Sequence, residues 1–198
     1  FTEDTKISEV ISDPAFGSYG RLIFPVDSWY YSGDTLGDLQ LTWYNNIDPA
    51  KTVEIVNYLK EHAEAGDTVF YDIYTEEEKA ADPEKEDTGL FFFKGEPGAK
   101  FAVCNAGGGF AYVGAMQDSF PHALELSKRG YNAFACVGES DGIASWRTMQ
   151  RRLETLESMG IPTEFHHYPG LRHGFGLGTG TVAEGWLDQA VEFWEAQM

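Results

Sequence analysis

Three stretches of this 198-residue chain combine residue types and spacing that could do chemistry. The first is Asn105-Ala106-Gly107-Gly108-Gly109-Phe110, directly after an apolar run. Consecutive glycines let a backbone approach a ligand and aim N–H groups at an anion. Such a loop after a strand is either an oxyanion cradle or a flexible turn; no G-x-G-x-x-G spacing or P-loop lysine favours a nucleotide. The second stretch is Tyr168-Pro169-Gly170-Leu171-Arg172-His173-Gly174-Phe175-Gly176, which sets one histidine in a glycine-rich loop past a strand end. A neutral imidazole there can act as general base near pH 7. The third, Gly138-Glu139-Ser140-Asp141-Gly142, satisfies G-x-S-x-G between a strand and a helix. It supports two roles: Ser140 as nucleophile, or Asp141 as the acid that orients His173. Spacing alone leaves both open.

Other chemistries find little footing. His166 and His167 are neighbours on an expected strand and face opposite sides, so they do not share a metal. His62 and His122 fall on expected helices without partners at ligand spacing, and no H-E-x-x-H or C-x-x-C occurs. Cys104 and Cys136 sit in apolar runs and read as buried free thiols. With 14 Lys+Arg against 32 Asp+Glu the net charge is −18, which argues against nucleic acid and anionic membrane as partners. No apolar run approaches the ~18–20 residues needed to cross a bilayer. The chain begins at Phe1 rather than Met, which implies an upstream stretch removed or not included.

The elements that must position these residues come next. One domain fits the length, and hydrophobic residues at 42% are ample for a core. Residues 1–67 read as an aromatic-rich extension and a helix that pack on a domain spanning 68–198. Trp29, Tyr30, Tyr31, Trp43 and Tyr44 are the extension's anchors. Asp48-Pro49 starts the helix, with Val53, Val56, Leu59 and Ala63 inward and Gly66 as its stop. Strands over Thr68–Tyr74 and Thr88–Lys94 flank an acidic run, Glu76 to Asp87, that reads as a solvated hairpin tip. Phe101–Cys104 reads as a strand buried on both faces. A helix from about Pro121 to Arg129 ends at Gly130; a strand over Tyr131–Val137, a helix over Ala144–Met159, a strand over Thr163–Tyr168 and a helix over Val182–Gln197 follow. In the last, Trp186, Ala190 and Phe193 face inward. This alternation predicts an α/β fold, a mostly parallel sheet flanked by helices with ligands at the strands' carboxyl ends.

The stretch 105–114, Gly130–Ala135, Val137–Trp146 and Tyr168–Gly185 resemble α/β-hydrolase esterases of the acetyl esterase/lipase and carbohydrate-esterase type. The resemblance runs from about Thr68 to Met198, and its most specific motif is Gly-Glu-Ser-Asp-Gly-Ile-Ala-Ser-Trp followed by His-Gly-Phe-Gly-Leu-Gly-Thr-Gly. It implies an α/β-hydrolase-like fold and a serine hydrolase acting on carboxylic esters through an acyl-enzyme, with small acyl groups on sugars as a substrate class. It implies Asp141 as triad acid, His173 as base, and Gly107, Gly108 and Gly109 as the oxyanion loop. No cofactor and no metal are required.

One departure stands out. The family order is Ser, Asp, His, yet Asp141 arrives six residues after Ala135, where a nucleophile elbow and a further strand–helix unit are due. At about 30 residues per βαβ unit, roughly 60 are absent, as though central strands were missing near 135–137. Three accounts remain open: a stretch missing from the chain as written, a natural deletion, or Ser140 as a substitute nucleophile. A true deletion would expose a strand edge and favour homo-oligomers. It would also leave His173 no serine to activate, so that His173→Ala would not change any esterase activity. The alternative function is a non-catalytic remnant or carbohydrate-binding domain, with the aromatics of residues 29–44 as its surface.

Overall fold

The computed structural model describes residues 1–44, 46–99, 101–108, 111–130, 132–137, 164, 166, 168, 169, 171 and 176–196. Helix α1 (Ile7–Ile11) leads into a 3-10 segment, Pro14–Leu22, and a two-stranded ribbon of β1 (Tyr31–Ser32) and β2 (Gln40–Leu41). Helix α2 (Pro49–Glu64) follows. Its N-cap is Asp48, whose carboxylate accepts the Lys51 N–H at 3.2 Å, and Pro49 occupies the first turn. The inward face is Thr52, Ile55, Val56 and Leu59, one step round from the expected stripe. At the far end Gly66 takes φ +88; its N–H donates to the Ala63 carbonyl at 3.1 Å, and the Asp67 N–H to the His62 carbonyl at 3.0 Å. That paired Schellman closure needs a left-handed residue, which is why glycine stops the helix here.

The main sheet holds β3 (Phe70–Asp72), β4 (Gly89–Phe93), β5 (Phe101–Asn105) and β6 (Asn132–Val137) in the spatial order β3-β4-β6-β5. β3 and β6 each pair antiparallel to β4, while β5 and β6 are parallel, with Val103 opposite Phe134. Parallel neighbours require a crossover. Helix α4 (Ser119–Lys128) supplies it, packing on both strands and ending before Gly130. Against the expectation of a mostly parallel sheet, the described strands form a mixed one, with one parallel pairing in three. β6 runs in unbroken register through Ala135, Cys136 and Val137.

Three local expectations are corrected. The acidic run is no bare tip: it folds into α3 (Glu76–Ala81) and a 3-10 turn, Pro83–Asp87. Thr75 and Glu78 form a reciprocal capping box, the Glu78 carboxylate accepting the Thr75 N–H at 2.8 Å. Strand β5 is not buried on both faces, because Val103 is 53% exposed while Ala102 and Cys104 pack inward. The closing helix, α5 (Trp186–Ala196), begins four residues late, with Leu187 buried and Ala190 exposed. The Thr181 hydroxyl delays it, donating to the Gly178 carbonyl at 2.6 Å and accepting the Ala183 N–H at 3.1 Å in a local turn.

The core is aromatic and shared by both ends of the described framework. Ile7, Val10, Phe16, Ile23, Phe24, Leu36 and Leu39 lie in one buried cluster with Phe91, Phe93, Phe120 and Leu124. Tyr19 stacks on Phe70 with ring centres 5.0 Å apart, and Phe91 meets Phe120 edge-on at 4.9 Å. Phe120 opens α4, so the same core that anchors residues 1–39 also fixes the start of the crossover helix. Across the outer side of α2 and α4, Lys51 bridges Glu54 at 2.6 Å and Glu125 at 2.8 Å, and Lys128 reaches the same two carboxylates.

Candidate functional site

The glycine loop leaves the carboxyl end of β5 and reaches α4 through a 3-10 turn, Ala115–Gln117. Ala106, Gly107 and Gly108 are buried. The Gly107 peptide is held at both ends: its N–H donates to Asp118 Oδ2 at 2.8 Å, and its carbonyl accepts the Gly114 N–H at 2.9 Å. Gly108 has φ +153, and its carbonyl accepts the Ala111 N–H at 3.0 Å. A Cβ at Gly108 would fall 1.7 Å from the Tyr112 carbonyl oxygen, so no larger residue fits this bend.

Asp118 is the hub. Besides Gly107, its Oδ2 accepts the Tyr44 hydroxyl at 3.2 Å, and its Oδ1 lies 4.0 Å from His122 Nδ1. Tyr44 belongs to a satellite cluster with Leu41 and Tyr112. Trp43 stacks on Tyr112 at 5.6 Å, and the Tyr112 hydroxyl donates to the Thr42 carbonyl. Burial pushes the Tyr112 hydroxyl up to about 12. The segment 41–44 thereby clamps the outer side of the glycine loop.

His122 meets Trp186 of α5 edge-on at 5.0 Å. Burial pulls its pKa below 6.5, opposed by the Asp118 charge and the Gly176 backbone. The Gly176 carbonyl is engaged by the Trp186 indole N–H at 3.0 Å, and His122 Nε2 is left without a hydrogen bond. Among the described residues three more buried polar atoms have none either: both amide atoms of Gln117 and the Ser119 hydroxyl. All four lie within six residues, next to the glycine loop.

Of the residues singled out in the sequence, Gly107 and Gly108 form this bend, and the Gly107 N–H is committed to Asp118. Gly109, Ser140, Asp141 and His173 lie outside the described residues. His166 is exposed and pairs with Glu164, and His62 Nδ1 lies 2.7 Å from Asp67 at the end of α2. Cys104 is half-buried. The aromatic anchors divide: Tyr44 is buried, whereas Trp29 is 99% exposed. Among the described residues no three His, Cys, Asp or Glu side chains gather to hold a metal, and no helix is long and apolar enough to cross a membrane.

Sequence reasoning missed Asp118, His122 and Gln117. The Asp118–His122 spacing of i, i+4 at a helix start was a readable signal. Gln117 carried none, because its burial is a product of tertiary packing.

No family model matches the chain, and no curated protein or solved structure does.

Proposed function

We propose that the chain carries the oxyanion loop, acid and base of a serine-type hydrolase of carboxylic esters, on an α/β-hydrolase-like framework. The observation that carries this reading is the bend at Gly107–Gly108. It follows the third strand of the main sheet and leads into the crossover helix, the position from which α/β-hydrolases supply an N–H to the oxyanion hole. Gly107 shapes the loop through Asp118, and the next N–H groups along it are the donors to the developing oxyanion. His173 takes the proton of the attacking serine, and Asp141 holds the imidazole in the correct tautomer.

Turnover of p-nitrophenyl acetate tests the assignment. Hydrolysis that falls at least a hundredfold in His173→Ala and in Asp141→Ala supports it. Loss in Ser140→Ala as well would name Ser140 the nucleophile; survival there would assign that role to another serine. Hydrolysis that is absent, or unchanged in His173→Ala, sinks the esterase reading.

One observation favours a second reading, a non-catalytic remnant. The Gly107 N–H is already occupied by the chain's own carboxylate, which withdraws the first donor of the loop from any substrate.

A further inference from the structure

Asp118 stands at the N-terminal end of α4, yet its carboxylate does not cap the helix. Instead Oδ2 accepts the Gly107 N–H at 2.8 Å and the Tyr44 hydroxyl at 3.2 Å. The other oxygen, Oδ1, lies 4.0 Å from His122 Nδ1, about 1 Å beyond a charge-assisted hydrogen bond. The carboxylate therefore serves two neutral donors and faces a ring that it does not yet bond.

The His122 side chain is 15% exposed, and its Nε2 has no hydrogen bond. An imidazolium in that place loses hydration and needs a counter-charge. Among the described residues, Asp118 is the charge that acts on the ring. The other charges on the elements around it are engaged elsewhere or lie at the surface. Glu125 of α4 and Glu54 of α2 are held by Lys51 and Lys128, and Asp188 of α5 by Arg129. Glu192 and Glu195 of α5 are exposed. β4 and the turn Ala115–Gln117 carry no titratable side chain, β5 and β6 carry one thiol each, neutral in acid, and Gly176 presents its backbone.

The gap closes most readily by movement of Asp118. Trp186 meets the His122 ring edge-on at 5.0 Å and limits its travel. The partners of Oδ2 cannot follow the carboxylate. The Gly107 carbonyl is pinned by the Gly114 N–H at 2.9 Å, and Tyr44 packs so closely on Gly114 that a Cβ there would fall 2.7 Å from its hydroxyl. Away from bulk water, the attraction between two full charges exceeds that of a neutral donor for the same carboxylate.

We infer that Asp118 is a pH-sensitive latch on the glycine loop: it holds Gly107 and Tyr44 while His122 is neutral, and swings to His122 and releases them when the ring is protonated. Burial keeps the ring neutral at pH 7, so the latch is closed there and opens in acid. Its consequence for catalysis rests on the ester-hydrolysis reading: a released Gly107 no longer fixes the N–H groups that follow it, and acid disarms the oxyanion loop. The latch itself is read at Gly107 without any turnover, so the failure of one proposal leaves the other standing.

Hydrogen exchange by NMR on the full chain, with the His122 titration followed in the same samples, is the test. The protection factor of the Gly107 amide should fall at least about tenfold, the worth of one hydrogen bond, as His122 titrates, while the amides of β4 stay protected. In His122→Asn that fall should disappear. Gly107 protection that is unchanged through the His122 titration, that is lost only together with β4, or that falls equally in His122→Asn would overturn the latch. Asp118→Asn keeps the shape of the side chain and removes its charge, so His122 should titrate lower and Gly107 protection should no longer follow it. A His122 titration that does not move in Asp118→Asn contradicts the latch, whether or not His122→Asn folds.

Discussion

The aromatic framework and the start of the crossover helix obey different rules. In the framework, buried groups are apolar and interlocked or have partners: Phe16, Phe91 and Phe93 are fully enclosed, the Thr52 hydroxyl donates to the Asp48 carbonyl at 3.1 Å, Lys79 pairs with Asp72 and Glu76, and the ends of α2 and α3 are closed by their own caps. Around the glycine loop and the first turn of α4, Gln117 and Ser119 are buried too, yet both amide atoms of Gln117, the Ser119 hydroxyl and the Nε2 of half-buried His122 have no hydrogen bond, and the Asp118 carboxylate lies among them. A protein that satisfies its polar groups so consistently in one place and not in another is using the second place for something other than stability.

The comparison can be broken most severely in the framework. Phe91→Ala removes a ring that contacts Tyr19, Phe70 and Phe120 and should cost about 3–5 kcal/mol in equilibrium denaturation. Gly108→Ala should cost about 3 kcal/mol, because the new Cβ runs into the Tyr112 carbonyl; a neutral result would show that the bend is not locked. Asp118→Ala should cost about 2 kcal/mol through the lost Gly107 and Tyr44 bonds, and should speed hydrogen exchange at the Gly107 amide. Tyr44→Phe should show a smaller part of the same effect. Asp48→Ala, a plain helix cap, should cost about 1 kcal/mol and leave that exchange untouched.

The finest test is a pH slope. His122 has a folded pKa below its unfolded value of 6.5, so the folded state binds fewer protons there. The stability this confers is complete above pH 6.5 and is lost as pH falls from there through the folded pKa. Denaturation midpoints should therefore begin to drop below pH 6.5, ahead of the carboxylate range, and His122→Asn should remove that early part of the slope. A flat profile in the unmodified protein would place His122 in a solvated environment.

Much of the framework was legible in the residues themselves. Asp48-Pro49 and Gly66 marked both ends of α2, and the apolar runs at 88–94 and 101–104 marked strands, because capping and apolar runs are local signals. The Thr75–Glu78 capping box was equally local and was masked by the weight of charge around it. What the residues did not disclose depends on distant partners. That Tyr44 reaches Asp118 across 74 positions, and that Gln117 is enclosed between α2 and the segment 176–179, follows only from the packed fold. The direction of the β4–β6 pairing was hidden for the same reason. In the candidate site the glycines were legible by type, but the destination of the Gly107 N–H was not.

The most direct test of the esterase assignment is the titration of the His173 ring by NMR, in the unmodified chain and in Asp141→Asn. If the two residues form an acid–base pair, His173 titrates above an ordinary histidine and shows a strongly deshielded Nδ1 proton, and both features vanish in Asp141→Asn. A His173 that titrates as an ordinary solvated imidazole, identically in the two proteins, would contradict the pairing on which the esterase reading stands.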